Sequence, residues 1–455
     1  MTATVIEGCA VVTMDSDAHE YAPGHIVVED NRIAAVGHGT AANVPDGTRR
    51  IDATGCLATP GLVNCHHHLY QWLTRGYAQQ ATLFEWLVAL YPIWAHIDTE
   101  MEHAAASASL TALARSGCST TTDHHYLWPR GGGDFLEAEI DAAHSAGVRF
   151  HPCRGSMDLP ASEGGLPPDD VTEGRDRILQ ATAEAIDRWH DPSFGAMTRI
   201  AVAPCSPFSV TRELMSESAE LARSKGVRLH THMAETVEEE SYCQELYGVR
   251  PVQYLQDLGW LGEDVWLAHC VHLSSDEIDL FGRTGTGVAH CPSSNARLGA
   301  GIAPVQDLLA AAAPVGLGVD GAASNEAGEL SLEVRSALLS ARLRGGPAAL
   351  TARGALELAT INGARCLGRD GEIGSLEVGK CADIALWRLD SYAHAGIADP
   401  VAALVLGPPR SVETLIVNGE SVVEEGHMTK LDENAVASAA EKQGARLAEA
   451  AGIDR

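Results

Sequence analysis

The chain has 455 residues, of which 45% are hydrophobic and only 5% aromatic, and a formal net charge of −29. That length supports one large domain or two with an ample core, and the charge excludes a basic groove for nucleic acid or for an anionic membrane surface. No run of about 20 apolar residues predicts a membrane span, the N-terminus shows no basic leader followed by an apolar core, and eleven scattered cysteines without a tight framework read as reduced thiols of a cytoplasmic protein.

Residues 1–57 read as short strands at Val5–Thr13, His25–Glu29 and Arg32–Val36, the last two joined by a turn at Asp30-Asn31. Residues 58–370 then alternate strand with helix. Apolar runs end at His66–His68, Thr120–His125, Val148–Arg154, Ile200–Cys205, Val227–His232, Val265–His269, Val288–Cys291 and Val315–Asp320. Helical stretches such as Glu213–Lys225 and Gln306–Ala313 lie between them. Eight such units predict an α/β fold, a (β/α)8 TIM-like barrel, whose active site lies at the C-terminal ends of its strands. Residues 371–455 return to short strands, Asp383–Leu389 and Thr414–Val423, the latter turning at Asn418-Gly419. The two chain ends are therefore predicted to form one small β-sandwich with the barrel inserted into it. The Ala- and Glu-rich stretch Glu433–Ile453 predicts a surface helix without a functional role.

The polar strand endings carry the chemistry. In the stretch PGLVNCHHHLY, strand alternation puts His66 and His68 on one side and His67 on the other. Two imidazoles two residues apart at a strand end can hold one metal ion. The fifth run, LHTHMAE, supplies His232 as a third ligand, with His230 on the same face and Glu235 just past the strand. The eighth, GVDGAASN, presents Asp320. Three imidazoles and a carboxylate suit a catalytic divalent ion with an open position; a structural zinc site would more often use closely spaced cysteines, and no CxxC pair occurs. Taken singly, each residue has another reading: Glu235 as a helix N-terminal carboxylate, Asp320 as a turn aspartate before Gly321, His269 as a core histidine bonded to backbone. Their joint occurrence at several strand ends of one barrel favours the metal site.

PGLVNCHHHLYQ, HTHMAE, LAHCVHL, HCPSSNARLGAG and GVDGAASN together resemble the amidohydrolase superfamily, and within it the aminohydrolase branch that deaminates purines, pyrimidines, pterins and s-triazines. The resemblance spans nearly the whole chain. It implies metal ligands at His66, His68, His232 and Asp320, chemical assistance from Glu235 and His269, and a further contribution from His272. It implies one divalent ion, zinc, with iron acceptable to the same ligands. The bridging lysine of dinuclear members has no counterpart, because the fourth strand ends AVAPCSPF and Lys225 is the only lysine before Lys380. Hydantoinase-like and dihydroorotase-like readings lose weight accordingly. The resemblance further implies a mechanism: Asp320 takes a proton from the attacking water, Glu235 protonates a ring nitrogen and His269 steadies the tetrahedral intermediate.

The ring itself is less legible. Cys205 stands where adenosine-type members carry the histidine of a PHAPY-like segment, which puts an adenosine nucleoside in doubt. The segment HPCRGSMDLPASEGGLPPDD, and Gln71 after HHHLY, resemble 8-oxoguanine deaminases and some triazine hydrolases. Substrate contacts are expected from Gln71 to an amide edge, from Trp86 stacked on the ring or packed in the core, and from Arg154 to a ring carbonyl or a rim ion pair. His125 and Cys205 are expected to face the same mouth. The implied reaction is 8-oxoguanine to urate and ammonia. Isoxanthopterin, guanine and cytosine deaminase and s-triazine hydrolase stay open as alternatives. A metal-free scaffold protein would have lost ligand positions, and all four are present. The expected partner is a small heterocycle, with a homo-oligomer expected for a barrel of this type.

Overall fold

The computed structural model describes residues 3–42 and 44–453. The chain opens with strands β1 (Ala3–Val12), β2 (Glu20–Glu29), β3 (Arg32–His38), β4 (Arg49–Asp52) and β5 (Cys56–Pro60). Eight short strands follow: β6 (Leu62–Asn64), β7 (Cys118–His125), β8 (Arg149–Ser156), β9 (Ala201–Pro204), β10 (Leu229–Met233), β11 (Val265–His269), β12 (Gly287–His290) and β13 (Val315–Leu317). They close into the predicted parallel barrel, β13 pairing back onto β6. Every residue of these strands is buried, as expected where helices cover the outside and side chains fill the inside. Four last strands, β14 (Ile384–Arg388), β15 (Thr414–Val417), β16 (Glu420–Glu424) and β17 (His427–Met428), return to the first five.

The two chain ends meet as expected, in one hydrogen-bonded nine-stranded sheet rather than two separate ones. The cause is β1. It pairs with β2 along one edge and, on the other, with β4 through Thr4–Glu7 and then with β5 at Ala10 and Val11. Two register shifts around Cys9 make that possible, with Gly8 at φ +83°. β14 runs antiparallel to β5, so Ile384 lies opposite Pro60 and ties the late chain to the last residue before the barrel. Alternation gives this sheet two apolar faces. Ala58, Ile384, Leu386 and Ile416 pack on Ile6, Val11 and Ile26 in a core of its own. Leu57, Ala385, Trp387, Leu415 and Val417 join the main barrel core. The turn at Asn418-Gly419 has both residues at positive φ, as a two-residue hairpin requires.

Barrel and sheet are also joined by charge. Arg149 at the start of β8 is fully buried and reaches Asp383 through Nε at 3.2 Å and Nη2 at 3.1 Å, and the Ala196 carbonyl through Nη1 at 2.9 Å. The long connection from β6 to β7 carries α1 (Leu83–Trp94) and α2 (Thr99–Arg115), and α3 (Phe135–Ala146) follows β7. α1 begins with a capping box between Thr82 and Glu85 and turns Leu83, Trp86, Leu87 and Tyr91 inward over the barrel mouth. The predicted helix at 213–225 forms as Arg212–Lys225. The one at 306–313 is shorter, Val305–Ala310, because Ala312 turns left-handed and Pro314 follows. The stretch at 433–453 forms a helix over Glu433–Ala450.

Candidate metal centre and active-site cavity

β6 stops at Asn64, so His66 and His68 project from the segment just beyond the strand. The Asn64 side chain fixes that exit, donating to Thr121 at 2.9 Å and accepting from the Val319 amide at 2.9 Å. Asp320 likewise lies past β13, in the left-handed region at φ +63°, a position an L-residue keeps only when its surroundings hold it. Its amide donates to the His66 carbonyl at 3.1 Å, and its Oδ1 accepts from the Gly321 amide at 2.8 Å. Its Oδ2 accepts from the Ser294 hydroxyl at 2.6 Å.

The hydrogen bonds fix the tautomer of each candidate ligand. His68 donates from Nδ1 to the His124 carbonyl at 2.8 Å, and His232 from Nδ1 to the Cys205 carbonyl at 2.6 Å. His230 donates from Nδ1 to the Trp266 carbonyl at 2.8 Å, so its Nε2 is an acceptor and receives the Nδ1 proton of His66, also at 2.8 Å. All three ligand imidazoles therefore aim a bare Nε2 lone pair at one point. His68 Nε2 and His232 Nε2 stand 3.1 Å apart, and His66 Nε2 and His68 Nε2 are each 3.3 Å from Asp320 Oδ1. His66 Nε2 is buried without a hydrogen-bond partner among the described residues. Facing lone pairs at this spacing repel unless a cation lies between them. Ligands about 2.0–2.2 Å from a shared ion sit about 3.3 Å from one another, so the group fits a divalent metal, with each outer ring nitrogen anchored as metal-bound histidines usually are.

The electrostatics agree. Burial pushes His66 and His232 well below the ordinary imidazole value and His68 to about 4, which keeps them neutral and able to ligate. Glu235 is pushed up by burial to about 7. His269 is raised overall, because Glu235 and Asp320 outweigh the effect of burial. Its Nδ1 donates to Asn295 Oδ1 at 2.9 Å, and its Nε2 lies 3.5 Å from Glu235 and 4.0 Å from Asp320. His269 too is left-handed, at φ +70°.

Above this group lies a cavity of about 390 Å³ including its mouth. Gln71, Trp86 and Cys205 line it as expected, with Glu235, His269 and Asp320. Its remaining walls, which sequence reading missed, are Leu83, Leu87, Tyr91, Tyr126, Phe208 and Leu298, with Ser324 beside Asp320. No local signal marks such residues, because an apolar side chain in a loop or helix looks the same whether it lines a slot or fills the core. Ser294 and Asn295 had a signal, since both lie in the HCPSSNARLGAG motif. A roomier groove between α2 and the C-terminal helix, about 1590 Å³ including its mouth, lies away from the candidate ligands.

Three expected contacts fall elsewhere. His125 faces away from the mouth. The two histidines ending β7 alternate, and His124 takes the inner side, one of its ring nitrogens lying within 4.8 Å of those of His66, His68 and His232. His125 instead lies among Glu102, Glu139 and the Phe135 ring. Arg154 adopts the rim ion pair. It contacts Glu173 at 2.7 Å, stacks 3.6 Å from the Trp128 ring and lines a different cavity, its guanidinium being drawn off by a carboxylate and a π face. His272 does not line the cavity; its Nε2 donates to the Ala300 carbonyl at 2.8 Å.

The amidohydrolase family pattern matches residues 57–422. An 8-oxoguanine deaminase from Pseudomonas aeruginosa is 45% identical over 414 residues, 90% of this chain and 92% of that protein. An isoxanthopterin deaminase from an unknown prokaryotic organism is 39% identical over 399 residues, 83% of each chain. The solved structure of atrazine chlorohydrolase from Arthrobacter aurescens TC1, complexed with zinc, superposes with a TM-score of 0.91 at 33% identity, covering 97% of this chain and all of that one.

Proposed function

This chain belongs to the amidohydrolase family, and from that premise we propose that it is a metal-dependent deaminase that hydrolyses 8-oxoguanine to urate and ammonia. The observation that carries the reaction class is the convergence of three bare imidazole lone pairs and Asp320 beneath a largely apolar cavity, beside a glutamate pushed up to about 7. The relative at 45% identity, an 8-oxoguanine deaminase, supports the choice of ring.

His66, His68, His232 and Asp320 would hold the ion, and zinc suits that donor set. A bound divalent ion supplies Lewis acidity, which makes water nucleophilic near neutral pH. Asp320, anchored through Ser294, accepts the proton of the attacking water. Glu235, pushed up to about 7 and so partly protonated at neutral pH, delivers its proton to the ring nitrogen beside the carbon that bears the amino group, so no negative charge builds there. His269, fixed by Asn295, stabilises the charge that develops on the attacking oxygen. Asp320 then passes its proton to the amino group, the C–N bond breaks with release of ammonia, and the hydroxyl proton freed as the carbonyl forms returns to Glu235. Trp86 and Phe208 bound the slot that receives the planar ring and excludes water, and Gln71, whose Oε1 lacks a partner among the described residues, offers its amide to the ring edge. We place the protein in the cytoplasm, because all eleven cysteines are free thiols; among the described residues no helix is long and apolar enough to cross a membrane.

The test is ammonia release across 8-oxoguanine, isoxanthopterin, guanine, cytosine and s-triazines. The highest kcat/KM is expected for 8-oxoguanine. A tenfold preference for cytosine or a triazine would overturn the choice of ring and leave the reaction class standing; silence on all five would overturn both.

A further inference from the structure

Behind the barrel wall lies a second group of ionisable side chains that the reaction does not use. Glu102 comes from α2, Glu139 from α3, and Asp123 and His125 from β7; all four are buried. His125 Nε2 donates to the Leu127 carbonyl at 2.6 Å, so a neutral ring leaves Nδ1 as a bare acceptor. That nitrogen points at Glu139 Oε1, 2.9 Å away, and at Glu102 Oε2, 3.7 Å away. Neither carboxylate oxygen of Glu102 or Glu139, nor Asp123 Oδ2, receives a hydrogen bond among the described residues. The surroundings are aromatic: Phe135 stacks on His125 at 5.1 Å and Trp128 packs edge-on at 5.0 Å. Side chains rich in acceptors thus converge, in an apolar pocket, with no hydrogen bond made among these atoms in the described residues and with one potential ligand atom each from Glu102, His125 and Glu139 within 4.8 Å of the others.

We propose that Glu102, His125 and Glu139 bind a second, structural divalent cation. Two carboxylates and a neutral imidazole balance a double positive charge, so the ion and these three ligands together carry no net charge. The mixed nitrogen and oxygen donors favour zinc over magnesium or calcium, which prefer oxygen alone. The same strand steadies the catalytic centre from behind. The His124 carbonyl accepts from His68 Nδ1, and Asp123 Oδ1 accepts from the Leu69 amide at 2.6 Å. An ion tying β7 to α2 and α3 braces the backbone on which His68 rests.

The test is metal content of the whole chain after dialysis against zinc and desalting, with anomalous diffraction at the zinc edge. Two ions per chain are expected in the wild type, one of them between α2, α3 and β7. Glu102→Gln and Glu139→Gln should each retain one, at His66, His68, His232 and Asp320. A single ion in the wild type, with no anomalous peak behind β7, overturns the proposal and leaves shared protons to fill the cluster. So does a second ion that both glutamine variants keep. Should either variant fail to fold, the wild-type anomalous map decides alone.

Discussion

The proposed metal ligands depend on groups that would never touch the ion. His230, the His124 carbonyl and the Cys205 carbonyl each take an outward N–H, and in doing so turn the inward nitrogen into a ligand. Glu235 is near this centre without belonging to it, so Glu235→Gln should keep its metal and lose at least about a hundredfold in kcat, as general acid–base groups do; wild-type-like turnover would remove Glu235 from the reaction. Gly321 tests the slot. A Cβ there would stand 1.8 Å from Gln71 Oε1, so Gly321→Ala must displace the Gln71 amide. Gln71→Ala and Gly321→Ala should each lower kcat/KM by roughly tenfold and the double variant by little more, because both remove one contact; fully additive losses would refute this. The convergence of His66, His68, His232 and Asp320 was legible in the sequence because strand-end histidines and an aspartate before glycine are rare and patterned. His125 was misread because two adjacent histidines occupy opposite faces, and nothing local says which face is inside. Arg154 was left between a ring carbonyl and a rim ion pair because its partners, Glu173 and Trp128, come from other loops.

At the scale of elements, each barrel strand announces itself as an apolar run with a polar ending, and all eight were readable. The joining of the end strands was not, because it depends on β1 changing partner from β4 to β5 across its bulges, a choice made by tertiary packing. Nor does sequence pair Arg149 with Asp383, which lie on separate units far apart in the chain. That buried pair binds barrel to sheet, and Arg149→Met strands the Asp383 carboxylate in the interior. The expected cost is about 3–5 kcal/mol of stability, read from the urea midpoint. Arg149→Met with Asp383→Leu should recover part of the loss; a single variant as stable as wild type would show that the ion pair does not join the units.

For the whole molecule, folding and ligation respond to acid together. The three ligand imidazoles protonate near 6.5 in an unfolded chain, whereas burial holds His68 at about 4 and His66 and His232 well below the ordinary value. As pH falls from 6.5 toward 4, the unfolded state binds protons that the folded state refuses, so stability falls; above 6.5 neither state titrates at these groups and the contribution is level. The chelated protein should therefore show a lower urea midpoint at pH 5 than at pH 7.5, and an unchanged midpoint would contradict the assignment of neutral, buried ligands. With metal present the same protons compete with the ion, and dialysis against chelator near pH 5 should strip it. The most direct measurement is ammonia release from 8-oxoguanine by chelated protein titrated with zinc at pH 7.5. Silence before zinc, turnover that rises with zinc to a plateau, and no such recovery in Asp320→Asn are predicted; full turnover in the chelated protein, or equal recovery in Asp320→Asn, would contradict a metal-centred deamination at these four side chains.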